Sequence, residues 1–200
     1  MISGPLLLTG FFVVVALPVA VLIALAWGWR RRDGWWLGIV RVALATYVVA
    51  LVGLLFFPLP LPPWSVPEFD AGLLGSWPYP WANIVPFDTI GTALRLGPDW
   101  PEFQLLLGNI AAFVPIGVFV GALRPGRHSW LRLFVTGLAI SLTVELAQLG
   151  MSPLMGYPYR VADVDDVIVN VAGVLLGYGA FRIGDVVGRA LLPARLVFWG

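Results

Sequence analysis

Glu145 is the residue that most needs explaining, because it stands inside an apolar stretch running from about Trp130 to Leu149. An ionisable group in such a stretch costs several kcal/mol unless it faces protein or water. Ser141, Glu145 and Gln148 recur at i, i+4 and i+7, which puts them on one helix face. Further along, Asp163, Asp165 and Asp166 precede Asn170, Gly173 and Gly177, and Asp166 shares a face with those three. An earlier apolar stretch carries Asn109, Phe113, Gly117 and Gly121 in the same way. As chemistry, Glu145 and Asp166 offer a general acid or base. Asp163, Asp165 and Asp166 offer hard oxygen ligands for a divalent cation. Arg160 is the counter-ion for that carboxylate group or for an anionic headgroup. Asn83, Asn109, Gln148 and Asn170 bring amides that hold a ligand by hydrogen bonds. The chain has no cysteine, and its one histidine, His128, lies in an Arg-rich loop away from these residues, so no Cys or His nucleophile is at hand.

Plainer roles stand beside these. Polar side chains in bundles often only join helices, at about 0.6 kcal/mol each. Asp163 can cap a helix, where negative charge suits the N-terminal dipole. The glycines suit close helix packing better than ligand contact.

The elements that must position these residues are membrane helices. The chain is 60% hydrophobic and 12% charged, with a mean hydropathy of +0.90, so it needs lipid as solvent. A span takes about 20 apolar residues, and five candidates are visible: Pro5 to Trp29, Trp35 to Phe57, Gln104 to Leu123 with Pro115 inside it, Trp130 to Leu149, and Asp163 or Asp166 to Phe181. The predicted fold is therefore an all-α polytopic membrane bundle, a single domain over residues 1–200. Positive charge follows the first apolar run instead of preceding it, so that segment is expected to stay as an anchor. Ten of the seventeen prolines fall between residues 58 and 103, together with Trp64, Trp77, Trp81 and Trp100. Such a stretch cannot be one continuous helix and reads as a long outer loop resting against the bundle and the headgroup region. Gly184 to Gly200 reads as an amphipathic tail on the inner surface.

Orientation follows from arginine, since short cytoplasmic loops retain positive charge. In a five-span chain ten of the twelve arginines fall on one side, and only Arg95 and Arg160 fall on the other. The N-terminus is then outside and the C-terminus inside. Asn109, Glu145 and Asn170 lie five to seven residues from the outer ends of their helices, roughly 7 to 10 Å deep at about 1.5 Å per residue. One pocket open to the outer leaflet is expected to collect them.

The run Asn83, Ile84, Val85, Pro86, Phe87, then Gly108 and Asn109 with Phe113, Pro115 and Gly117, then Glu145 with Gln148, then Arg160, Asp163, Asp165, Asp166, Asn170 and Gly173 resembles the VanZ-like family. The resemblance covers about residues 83–182, while the first two helices share only hydrophobicity with it. It implies a bacterial cytoplasmic-membrane protein whose polar positions fall on Asn83, Asn109, Glu145, Gln148, Arg160, Asp163, Asp166 and Asn170. The family's namesake lowers sensitivity to teicoplanin, so antibiotic resistance enters as an implication.

Three readings remain open from the sequence. One is a binder of a membrane lipid, a lipid-linked envelope precursor or a lipophilic glycopeptide. Another is an outer-leaflet enzyme using Glu145 on such a substrate. The third is a structural bundle with polar glue; no inverted repeat is apparent, which counts against a secondary transporter. Nucleic acid is not an expected partner, for want of a basic folded face. Beyond a divalent cation, no cofactor is implied.

Overall fold

The computed structural model describes residues 4–31, 34–56, 82–123, 129–155 and 161–191. They form six helices and two short strands: α1 (Gly4–Arg31), α2 (Trp35–Phe56), β1 (Ala82–Asn83), α3 (Asp88–Leu96), α4 (Pro101–Leu123), α5 (Trp130–Met155), β2 (Ala162–Asp163) and α6 (Val164–Leu191). Five of the helices, all but α3, are long and apolar enough to cross a membrane.

Local chemistry sets the helix ends. Pro101 occupies the first position of α4, where its missing N–H costs nothing, and α4 then runs on through Pro115. Ser129 caps α5, its Oγ accepting the Arg132 N–H at 3.2 Å. Asp163 caps α6, its Oδ1 accepting the Asp165 N–H at 2.8 Å. Between Pro86 and the pair Gly97 and Pro98, nine residues form α3, where loop is expected from the sequence. Residues 184–191, expected to begin a separate surface tail, instead continue α6 to Leu191.

Packing concentrates on α4 and α6. A Cβ on Gly177 would overlap the Val114 carbonyl oxygen, one on Gly173 the Ile110 carbonyl oxygen, and one on Gly117 the Val174 carbonyl oxygen. The glycines therefore let the two backbones touch, which is how helices associate where lipid removes any hydrophobic drive between them. Around this seam Leu51, Phe113, Ile116 and Val174 form the buried core. The Tyr47 hydroxyl donates to the Ala112 carbonyl and ties α2 to α4.

The contacts also sort the two ends of the bundle. At one end Arg41 lies beside Gly28, Phe181 packs against Gly121, and Trp130 stacks edge-on to Tyr178 at 5.1 Å. Arg30, Arg41, Arg132, Arg182 and Arg189 belong to this end, with Asp185 paired to Arg189 at 2.9 Å. At the other end β1 and β2 pair in parallel, Asn83 opposite Asp163. That pair is a correction to the purely helical expectation. Two-residue strands are too short to carry an alternating pattern in the sequence.

Candidate functional site

The polar residues gather at the β1–β2 end, where the start of α6 meets α3, α4 and α5. Asp163 accepts from Asn83 Nδ2, 3.3 Å to each carboxylate oxygen, and from Thr89 Oγ1 at 2.6 Å. Asn83 also donates to Thr89 Oγ1 at 3.0 Å, and its Oδ1 accepts the Val85 N–H at 3.1 Å. The bonds to Asp163 join the Asn83 segment to the start of α6, so the part of the Pro-rich stretch from residue 82 onward is fastened to the bundle.

Asp165 is only 1% exposed, a depth at which a carboxylate needs strong donors. Among the described residues it has two: the Phe87 N–H at 2.6 Å and the Ile90 N–H at 3.0 Å. Phe87 itself has a left-handed backbone, φ 67°, and no side-chain cap of its own. Asp165 thus caps α3 from another helix, satisfying N–H groups that a helix start leaves orphaned. Such a backbone costs a non-glycine residue about 1–3 kcal/mol, which charge-assisted hydrogen bonds of this kind can offset.

Asp166 accepts from Asn109 Nδ2 at 2.7 Å, binding α6 to α4. On the α5 side, Glu145 Oε2 accepts the Asp163 backbone N–H at 3.1 Å. One turn away Asn170 Nδ2 donates to Ser141 Oγ at 3.0 Å, both residues being buried. The Asn170 Oδ1 has no partner among the described residues. Gln148 Nε2 reaches a third direction, donating to the Leu55 carbonyl at 3.2 Å. That carbonyl lies in the last turn of α2, where helix geometry leaves acceptors unpaired.

A cleft of about 210 Å³ opens between α3, α4 and α6. Thr89 and Ile90 line it from α3, Pro101, Glu102, Leu105 and Leu106 from α4, and Asp165, Asp166 and Val169 from α6. It joins an apolar wall to three carboxylate-bearing residues.

Of the residues expected to form a site, Asn83 and Asp163 are in direct contact, as are Asn109 and Asp166, while Glu145 meets the Asp163 backbone. Of the described residues in that set only Asp165 and Asp166 line the cleft; Glu145, Gln148 and Asn170 do not. Arg160 lies outside the described residues, as do Trp64, Trp77 and Trp81. Each of the three aspartates serves different protein donors, and among the described residues no group of three His, Cys, Asp or Glu is placed to hold a metal ion. Thr89 was missed by sequence reasoning. Its signal was the nine-residue segment bracketed by Pro86 and Gly97, short enough to pass for loop.

A model of the VanZ/LLP1 family matches residues 43–185. The chain belongs to the VanZ/LLP1 family. No curated protein and no solved structure matches it. The VanZ/LLP1 match begins well before residue 83 and takes in most of α2, which supplies Tyr47 to α4 and the Leu55 carbonyl to Gln148. With five apolar helices among its described residues, this VanZ/LLP1 chain is a membrane protein.

Proposed function

We propose that the chain binds a cell-envelope or lipid-linked ligand, a lipophilic glycopeptide among them, at the outer leaflet of the bacterial cytoplasmic membrane. The observation that carries this reading is the cleft between α3, α4 and α6, with Ile90, Leu105, Leu106 and Val169 beside Glu102, Asp165 and Asp166. Apolar walls suit an acyl or prenyl tail, and carboxylates suit a head rich in amine and hydroxyl donors. In this reading Arg160 meets any anionic group the ligand carries. The acidic end faces outward and the arginine end faces the cytoplasm, by the retention of positive charge on the inner side.

Binding is favoured over acid–base catalysis because Glu145 already accepts a backbone N–H and does not line the cleft. Orientation is tested with single cysteines, since the chain has none of its own. A cysteine replacing Ile84, which is 79% exposed, should react from outside with a membrane-impermeant maleimide, and one replacing Arg132 should not. Labelling of the second alone would overturn the orientation. Binding is tested by titrating the full chain in micelles with teicoplanin and, separately, with a polyprenyl-diphosphate-linked disaccharide-peptide, whose head carries amine and hydroxyl donors. At least one should bind saturably, Leu106→Trp should weaken it at least about tenfold, a loss of 1.4 kcal/mol, and Glu145→Gln should leave it unchanged. No saturable binding of either probe, or indifference to Leu106→Trp, would defeat the proposal.

A further inference from the structure

The arginine end of the bundle carries a second hollow that the acidic cleft does not explain. Between α1, α2 and the last residue of α4 runs a groove of about 440 Å³. Ala20, Ile23 and Ala24 wall it on α1, Leu44, Ala45 and Val48 on α2, and among the described residues its single charged one is Arg41. A neighbouring hollow of about 540 Å³ shares Ile23 and Trp27 with it and ends at Arg30. Arg41 lies six residues into α2, about 9 Å from the Trp35 end at roughly 1.5 Å per residue. A guanidinium at that depth is costly among acyl chains and reaches toward the interface. It does so here: Arg41 Nη1 lies 3.6 Å from where a side chain on Gly28 would begin, so it crosses the seam to α1. Trp27, Trp29 and Trp35 are all more than half exposed around that level, the position aromatic side chains take at a headgroup boundary.

An apolar groove that opens on a bilayer fills with an acyl chain, and a guanidinium at its headgroup end favours a phosphate with negative charge. We infer that this groove holds one acyl chain of an anionic phospholipid, its phosphate on Arg41 and its headgroup against Arg30. The site is independent of the ligand cleft at the opposite end. It requires the five-helix bundle but not the proposed orientation or ligand.

The test uses the full chain in nanodiscs of phosphatidylcholine doped with phosphatidylglycerol, with the lipids that stay bound after release counted by native mass spectrometry. The wild type should keep phosphatidylglycerol over phosphatidylcholine by about tenfold relative to their supply, a difference of 1.4 kcal/mol. Arg41→Gln should abolish that preference. Arg189→Gln, whose arginine pairs with Asp185 far along α6, should retain it. Ala45→Trp fills the groove without touching a charge, and should expel the bound lipid even if Arg41→Gln does not fold. Equal retention of the two lipids by the wild type, or full retention of phosphatidylglycerol in Ala45→Trp, would overturn the assignment.

Discussion

Along the α4–α6 seam backbone meets backbone, whereas α1 and α2 meet through side chains and leave a groove between them. Gly117, Gly173 and Gly177 have no room for even one carbon, while Gly38 and Gly53 on α2 have nothing within 4 Å of the same position. Half of the spanning window of α6 is buried, whereas on α1 Ala24 alone of the described side chains is. The fused pair is the less apolar of the two, so hydrophobicity did not decide which would fuse. In lipid the decision falls to small residues and to hydrogen bonds at helix ends. The fused pair holds a fixed geometry, and the start of α6 carries the aspartates that organise β1, α3 and Asn109. The looser pair keeps a lipid-facing surface.

The largest expected effect breaks that contrast directly. Gly177→Leu forces α4 and α6 apart, because the added side chain meets the Val114 carbonyl and cannot be accommodated by a rotamer change. Overpacking of this kind costs about 1–3 kcal/mol, and a backbone clash belongs at the upper end. The variant should lose its monodisperse elution in detergent and unfold at lower temperature. Gly38→Leu adds the same atoms to α2, where nothing lies within 4 Å, and should elute and melt as the wild type does. Equal damage from both would mean that the seam is not what holds the bundle.

A second, smaller effect concerns α3. Asp165→Ala removes both acceptors that hold the Phe87 and Ile90 N–H groups. Hydrogen bonds to a charged group contribute about 1.5–3 kcal/mol, and the left-handed Phe87 loses its main support. Amide hydrogen exchange at Phe87 and Ile90 should accelerate by one to two orders of magnitude, about 1.4 kcal/mol per tenfold. Exchange within α4 should change little. Asp165→Asn keeps one acceptor and should fall between. Unaltered exchange in Asp165→Ala would show that α3 is held by its other contacts.

Much of this architecture was legible in the sequence, for identifiable reasons. The spans were readable because a run of about 20 apolar residues matches the thickness of a bilayer core and exceeds what a soluble core helix buries. The amide and carboxyl positions were readable because a polar group surrounded by lipid-soluble residues is costly and so stands out from its neighbours. Their distant partners were not. Asp163, Asp165 and Asp166 look alike as a string, yet one caps its own helix, one caps α3 from outside and one binds Asn109. The cap of Asp163 on its own helix was readable from the string. The other two roles depend on which distant segment arrives beside each carboxylate, and spacing along α6 carries no information about that. Gln148 was readable as polar and buried, but its acceptor on α2 lay in a region with no polar mark of its own. The cleft is likewise built by α3, a helix whose nine residues give too little periodicity to stand out.

The smallest effect distinguishes glue from ligand site at the α5–α6 contact. Ser141 and Asn170 are both buried, and the single bond between them is the described partner of the Asn170 amide nitrogen. Ser141→Ala should therefore cost about 0.6 kcal/mol and no more than about 1.7 kcal/mol, the range for interhelical hydrogen bonds in membranes. Asn170→Leu alone leaves the Ser141 hydroxyl buried without its donor and should cost a similar amount. Removing both partners together leaves no orphan, so the double variant should unfold close to the wild-type temperature. Ligand binding then separates the two roles. If Asn170 is only glue, the double variant binds teicoplanin or the polyprenyl-linked disaccharide-peptide as the wild type does. If the Asn170 Oδ1, which has no described partner, is there to meet a ligand, stability recovers in the double variant and affinity does not. Because Asn170 lies off the cleft while Asp166 lies on it, the expected outcome is recovery of both. Lost affinity with restored stability would move the binding site inward, from the α3–α4–α6 cleft toward α5.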